Sequence, residues 1–433
     1  MKRYPEYKDS GVEWIGEIPI GWKVIKFKFV TTLMTCGHAA TPEYVDSDVG
    51  MPFLSAQNIK NQKIDLFTFN YITKELFDSL TKNHKPEKGD LLQVRVGGAS
   101  TIGETAVIES DFDFTIYVSL AHIKLNKLAL NYYIKNLCNS DAFKKYSSII
   151  MKKGAGVANL NVSDLEKYRI PLPPINEQSQ IATFLDHKTR QIDDLIAKKQ
   201  KLKELLNEER TALINNAVTK GINPNANMKD SGIEWLGNIP EHWEVKKVKQ
   251  VLKNLDYKRI PLSSEERGKM TLKTFDYYGA SGVIDKVDNY LFDGEYILIG
   301  EDGANILTRS SAMAYKATGR FWVNNHAHIL EPYEGMIDFF VNLLEQIDYS
   351  CYASGSAQPK LTQDKLENIS ITVPPLSEQN EIVEFLETKC SHIESVLSRI
   401  TKEIELISEY KTSLINEAVT GKIDVRGYQI NNA

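Results

Sequence analysis

Residues 173–219 carry an apolar side chain every three or four positions, and this dictates most of what the chain can fold into. Read in heptads, the d and a positions are Ile181, Leu185, Lys188, Ile192, Leu195, Lys199, Leu202, Leu206, Glu209 and Leu213, so seven of ten seam positions are apolar. Pro173 and Pro174 end whatever precedes the helix, Asn176 is its expected N-cap, Glu177 sits where the helix dipole favours an anion, and Gly221 lies just past the end. Roughly forty residues at about 1.5 Å each make a rod of about 60 Å. Such a helix cannot bury its own seam and needs a partner.

The partner is written later in the chain. Residues 374–420 superimpose on 173–219 without a gap, a shift of 201 (374 minus 173). The seam becomes Ile382, Leu386, Ile393, Val396, Ile400, Ile407 and Leu414, while most surface residues change. Two matching seams in one chain predict an intramolecular pair.

A second repeat precedes each helix. KDSGVEWIGEIP from Lys8 returns as KDSGIEWLGNIP from Lys229, with Trp14 and Trp22 matched by Trp235 and Trp243. The segment is too short to fold alone, so it is expected as a clasp that packs tryptophans on a helix end. The second copy follows the first helix directly. By analogy the amino terminus is expected beside the end of the second helix, near Ala418 and Lys422. Between clasp and helix lie two blocks, about 31–172 and 252–373, with strand-like runs at 90–96, 105–108, 295–300, 320–323 and 328–330. Helical stretches are expected near 131–145 and 337–346. The blocks share little sequence except at their ends, where GAGVANL from Gly154 meets GSAQPKL from Gly355.

The predicted class is α+β: two globular α/β domains separated by two long antiparallel helices that form an intramolecular coiled coil with pseudo-twofold symmetry. The boundaries read as 1–172 for clasp and first domain, 173–221 for the first helix, 222–373 for linker, second clasp and second domain, and 374–433 for the second helix and tail. The four cysteines, Cys36, Cys138, Cys351 and Cys390, are too scattered for a disulfide framework or zinc knuckle, which points to a reducing cytosol. No secretory leader or run of 18 apolar residues is found, so no membrane role is expected. Net charge is −5, so any phosphate neutralisation would have to come largely from a partner.

Catalytic motifs are not found. The Leu172-Pro-Pro-Ile175 and Val373-Pro-Pro-Leu376 runs lack the polar and aromatic residues of an adenine methyltransferase loop, and the glycine-rich run 96–103 fits no nucleotide fingerprint. His326 and His328 would share a strand face and could hold a metal, but without a third ligand none is assigned. Asn324, Asn325 and His326 could reach base edges. Arg95, Arg309, Lys258 and Arg259 are the cations best placed for bases or phosphates, with Gln57, Asn58, Lys152 and Lys153 as weaker candidates. For each of these, a solvated surface role is the alternative.

The clasp motifs, PPINEQ with PPLSEQ, FLDHKTRQID with FLETKCSHIE, and LINNAVTKG with LINEAVTGK, closely resemble the specificity subunit of type I restriction-modification systems over almost the whole chain. The resemblance implies two target-recognition domains that each read half of a split, asymmetric site in double-stranded DNA. It further implies two adenine-N6 methyltransferase (M) subunits that bind S-adenosylmethionine, restriction (R) subunits that use ATP and Mg, no cofactor in this chain, and a prokaryotic cytoplasmic setting. One departure is that the first module lacks a counterpart of Gln358. A coiled-coil scaffold or adaptor without sequence-specific DNA binding is the rival reading.

Overall fold

Long apolar repeats pair where their seams meet, and the computed structural model shows that pairing inside each of two units, Met1–Lys199 with Lys402–Ala433, and Gln200–Thr401. Residues 2–98, 101–150, 152–154, 157–355 and 359–429 are described. The helices are Ile175–Lys220 and Leu376–Val419, and each begins in one unit and ends in the other. In the first unit Ile181, Phe184, Leu185 and Ile192 share a core with Leu414, Ala418 and Val419, and Lys411 reaches Asp193 at 2.6 Å. In the second, Ala217 and Val218 share a core with Ile382, Val383 and Leu386, and Arg210 meets Glu394 at 2.9 Å. Early residues of one helix meet late residues of the other in both units, so the pairing is antiparallel.

The seam departs from strict heptads in the first helix. Leu195 and Leu202 are each 44% exposed, while Ile196, Lys199, Lys203 and Leu206 turn inward. An undistorted helix of 3.6 residues per turn drifts from a 3.5 repeat, and two successive four-residue steps, 188 to 192 to 196, carry the buried stripe off Leu195. The second seam holds, with Ile382, Leu386, Ile393, Ile400 and Leu414 buried and Val396 and Ile407 partly so. Asn176 is also displaced from its expected role. The helix starts at Ile175, and the amides of Glu177 and Gln178 bond Pro174 O, so Asn176 lies in the first turn rather than capping it.

The two blocks share a sheet that their sequences conceal. In the first, four antiparallel strands run in the order Thr105–Val107, Leu91–Val94, Leu120–Leu125, Thr31–Cys36. In the second the order is Ala314–Val323, Phe292–Gly300, Ala327–Pro332, Leu252–Asn254, extended past Ala314–Val323 by Phe275–Gly279 and Gly282–Val287. A helix follows the third strand in each, Asn131–Asn139 and Ile337–Glu345. The same glutamine of each PPxxEQ leader ties that helix to a long one. Gln178 accepts from Leu130 N at 2.8 Å and donates to Leu128 O and Pro173 O, and Gln379 accepts from Met336 N at 2.9 Å and donates to Pro374 O. Both are buried, so each amide closes backbone groups that would otherwise be orphaned.

The clasps dock as the repeat predicts. Trp22 Nε1 donates to Glu177 at 3.1 Å, and Trp243 Nε1 to Glu378 at 2.9 Å. Tyr4 OH adds a second bond to Glu177, whereas the second copy offers His242, 2.7 Å from Glu378. Each long helix ends before a left-handed glycine, Gly221 at φ 76° and Gly421 at φ 75°. A Cβ on Gly421 would lie 2.5 Å from Pro19 Cδ, so the close packing of the clasp also demands glycine there. The amino terminus lies beside the second helix's end: Asp424 N donates to Lys2 O at 2.9 Å, and Tyr7 OH to Lys422 O at 3.3 Å.

Candidate nucleic-acid interface

Strand ends are where a sheet presents side chains that its own ladder does not use, and one such end gathers most of the second module's chemistry. Strand Phe292–Gly300 runs into Glu301 and Asp302, while the turn before Ala327–Pro332 holds Asn324, Asn325 and His326. A 3-10 turn, Asp256–Lys258, follows the edge strand Leu252–Asn254. Gly300 permits the convergence, because a Cβ there would fall 2.7 Å from Ala280 O.

A buried ion network ties these loops together. Asp256 Oδ2 lies 2.5 Å from His328 Nδ1, and its Oδ1 accepts from Ile329 N at 2.9 Å. His328 Nε2 meets Leu361 O at 2.8 Å. The Arg259 guanidinium spans Glu301 at 2.5 Å, Ala327 O at 2.9 Å and Asp256 at 3.3 Å, and Lys360 holds the other Glu301 oxygen at 2.9 Å. Burial pushes the Asp256 and Glu301 carboxyls up. For Asp256, the His328 bond and charge, the Ile329 amide and Arg259 outweigh burial; for Glu301, the Arg259 and Lys360 bonds do, and both end below the usual range.

Asp256, Glu301 and His328 place potential metal-ligand atoms within 4.8 Å of one another. The chemistry of the set argues against an ion. Both His328 nitrogens already face oxygen acceptors, and Arg259 and Lys360 supply the positive charge a metal would bring. His326 is not on the strand face with His328, as expected from sequence, but in the preceding turn, where it pairs with Asp302 at 2.8 Å and its amide bonds Asn324 Oδ1.

The structure sorts the candidates. Lys258, Asn325 and His326 reach solvent at this end, with Tyr257 beside them at 73% exposure, while Arg259 and Asn324 are engaged beneath. Arg309 lies elsewhere: its guanidinium bonds the Ile347 carbonyl and the Glu345 carboxylate, closing the end of the Ile337–Glu345 helix. In the first module Arg95 is buried and donates to Leu160 O, Val118 O and Asn159 Oδ1, so its donors serve the fold. Asn58 is buried and clamps a loop, whereas Gln57 is exposed. Lys152 and Lys153 lie on strand Lys152–Gly154, their side chains outside the described residues, as is Gln358. Asp256, Glu301 and Asp302 are not among the residues expected from the sequence; EDG after an apolar strand is the signal for Glu301 and Asp302, and Asp256 has none.

The modules match atom for atom at one point. Leu160 N donates to Arg95 O at 2.7 Å and Arg95 N to Ser119 O at 2.9 Å; Leu361 N donates to Glu301 O at 2.8 Å and Glu301 N to His326 O at 2.9 Å. The backbone is the same and the side chain has opposite charge.

Residues 19–206 and 240–406 both match the family model described as the type I restriction modification DNA specificity domain. The chain is 29% identical over 299 residues to the type I restriction enzyme MjaVIII specificity subunit of Methanocaldococcus jannaschii, covering 63% of this chain and 66% of that one. It is 23% identical over 439 residues to the EcoKI specificity subunit of Escherichia coli K12, covering 94% and 90%. A solved chain from a study of complex assembly and conformational transition in the type I R-M system shares the fold, with a TM-score of 0.70 at 14% identity, over 94% of this chain and 99% of that chain.

Proposed function

The chain belongs to the type I restriction modification DNA specificity family, and from that membership we propose that it recognises a bipartite, asymmetric DNA site and directs partner subunits to it. The observation that carries this reading is the pairing of one backbone frame with unlike side chains, Arg95 in one module and Glu301 in the other at corresponding positions. A protein that needs the same mounting twice but not the same surface twice is suited to reading two different half-sites. A scaffold that only joins proteins has no need of diverged loop ends.

Within this reading the chain supplies the address and its partners the chemistry. Two methyltransferase subunits, holding S-adenosylmethionine, methylate adenine N6, and restriction subunits using ATP and Mg cleave. Those partners also supply much of the phosphate neutralisation that a net charge of −5 leaves wanting. No described helix is long and apolar enough to cross a membrane, and we place the complex in the prokaryotic cytoplasm, where its DNA is. Methylome sequencing of a host with and without the gene tests the proposal. A two-part adenine motif that vanishes on deletion supports it, and an unchanged methylome refutes it.

A further inference from the structure

Phe67 is 97% exposed, the highest value of any large hydrophobic residue among those described. Its neighbours behave differently: Leu66 and Phe69 pack against the core formed by Leu54, Ile59, Leu92 and Val94. The loop that holds Phe67 outward is fixed from both sides. Buried Asn58 donates to Asp65 O at 3.1 Å and Thr68 O at 2.7 Å, and its own carbonyl accepts from Ser55 N at 2.9 Å. Asp65 accepts from Phe67 N at 2.9 Å, from Thr68 Oγ1 at 3.2 Å and from Lys60 Nζ at 2.7 Å. An amide buried to clamp the carbonyls flanking an exposed ring makes that exposure a built feature rather than a floppy tip.

The surroundings indicate what the ring meets. The segment, which holds Gln57 in its 3-10 turn Ala56–Asn58, crosses the sheet end just before strands Leu120–Leu125 and Thr105–Val107, where Ala56 N donates to Ser119 Oγ at 2.9 Å and Gln62 N to Glu104 at 2.6 Å. The other exposed residues of the segment itself are polar, Gln57, Lys60, Asn61, Lys63 and Thr68. The exposed ring of Phe112 packs on Phe69 at 5.6 Å between centroids, which leaves Phe67 a single projecting ring rather than part of the broad apolar core of a protein interface. A projecting ring with the exposed Lys63 close by in the segment matches a duplex, with an ammonium for a phosphate and an apolar wedge for the base stack, while Lys60 is held by Asp65. We propose that Phe67 is a DNA wedge, inserting against a base step of the bound site and bending it.

The proposal rests on the DNA-specificity reading, and its test separates the two. The chain, co-purified with its methyltransferase subunits, is titrated with a duplex carrying the methylome-derived motif and a fluorophore at each end. Phe67→Ala is expected to melt as wild type does, to weaken binding roughly 5- to 150-fold, the range of one lost aromatic–base stack, and to lose the bend. Phe67→Trp is expected to retain both. A Phe67→Ala complex that binds and bends as wild type does overturns the wedge, as does one that has shed its methyltransferase subunits, which would make Phe67 a protein contact. A wild-type complex with no preference for the motif over scrambled DNA refutes the specificity reading itself.

Discussion

Removing Asp256 should do more damage than its single carboxylate suggests. Asp256→Ala leaves the buried His328 ring facing a void, strips the Ile329 amide of its acceptor, and takes one anion from the Arg259 guanidinium. Truncating one partner of a buried pair costs about 3–5 kcal/mol, because the other is left without compensation. For a unit the size of Gln200–Thr401, each kcal/mol is worth about 2–4 °C, so its transition should fall by about 6–20 °C. Calorimetry on the full chain reads this, and hydrogen exchange at Ile329 and Leu330 shows whether loss begins at the network. The pH dependence has a definite sign. Asp256 and Glu301 have folded values below their unfolded values of about 3.9 and 4.3, so their stabilisation is complete above about pH 5 and drains as pH falls through the unfolded and then the folded values. Asp256→Asn should therefore flatten the acid limb. A variant that melts within about 1 °C of wild type, with Ile329 still protected, refutes the network as a brace.

The altered seam separates residues that a heptad treats alike. Ile393→Ala and Leu414→Ala should each cost about 2–5 kcal/mol, whereas Leu195→Ala and Leu202→Ala should stay within about 0.5 kcal/mol, read as shifts in denaturation midpoint. Glu177→Gln should destabilise the first unit by about 1–3 kcal/mol, because Tyr4 and Trp22 both donate to one oxygen, Oε1, and two bonds to a buried carboxylate become weaker bonds to a neutral amide; tryptophan fluorescence during unfolding reports it. Arg95→Ala should lower the first unit's melting temperature in the same assay, as expected of a side chain whose donors are spent on Leu160, Val118 and Asn159.

The frame was legible because it is written twice. Apolar period, PPxxEQ leaders and paired tryptophans recur at fixed shifts, and each recurrence corresponds to a repeated contact, as with Glu177 to Trp22 and Glu378 to Trp243. The common four-stranded sheet was not legible. Strand order is fixed by backbone hydrogen bonds, which any β-compatible side chains permit, so the modules kept the topology while their sequences diverged. Side-chain roles were the least readable. Arg95 and Arg309 have the composition of DNA contacts, yet their donors close carbonyls many residues away, at Val118 and Ile347. Phe67 and its clamp Asn58 lie nine positions apart, and nothing in their spacing says that one exists to present the other.

Two interchangeable mounts with unlike readers make one demand that can be measured directly. Replacing residues 229–373 with a second copy of 8–172, and sequencing the methylome of a host that supplies the methyltransferase subunits, puts the same reader in both positions. The account predicts a motif built from one wild-type half-site used twice, with the other half-site gone. A motif that keeps both original halves would contradict it.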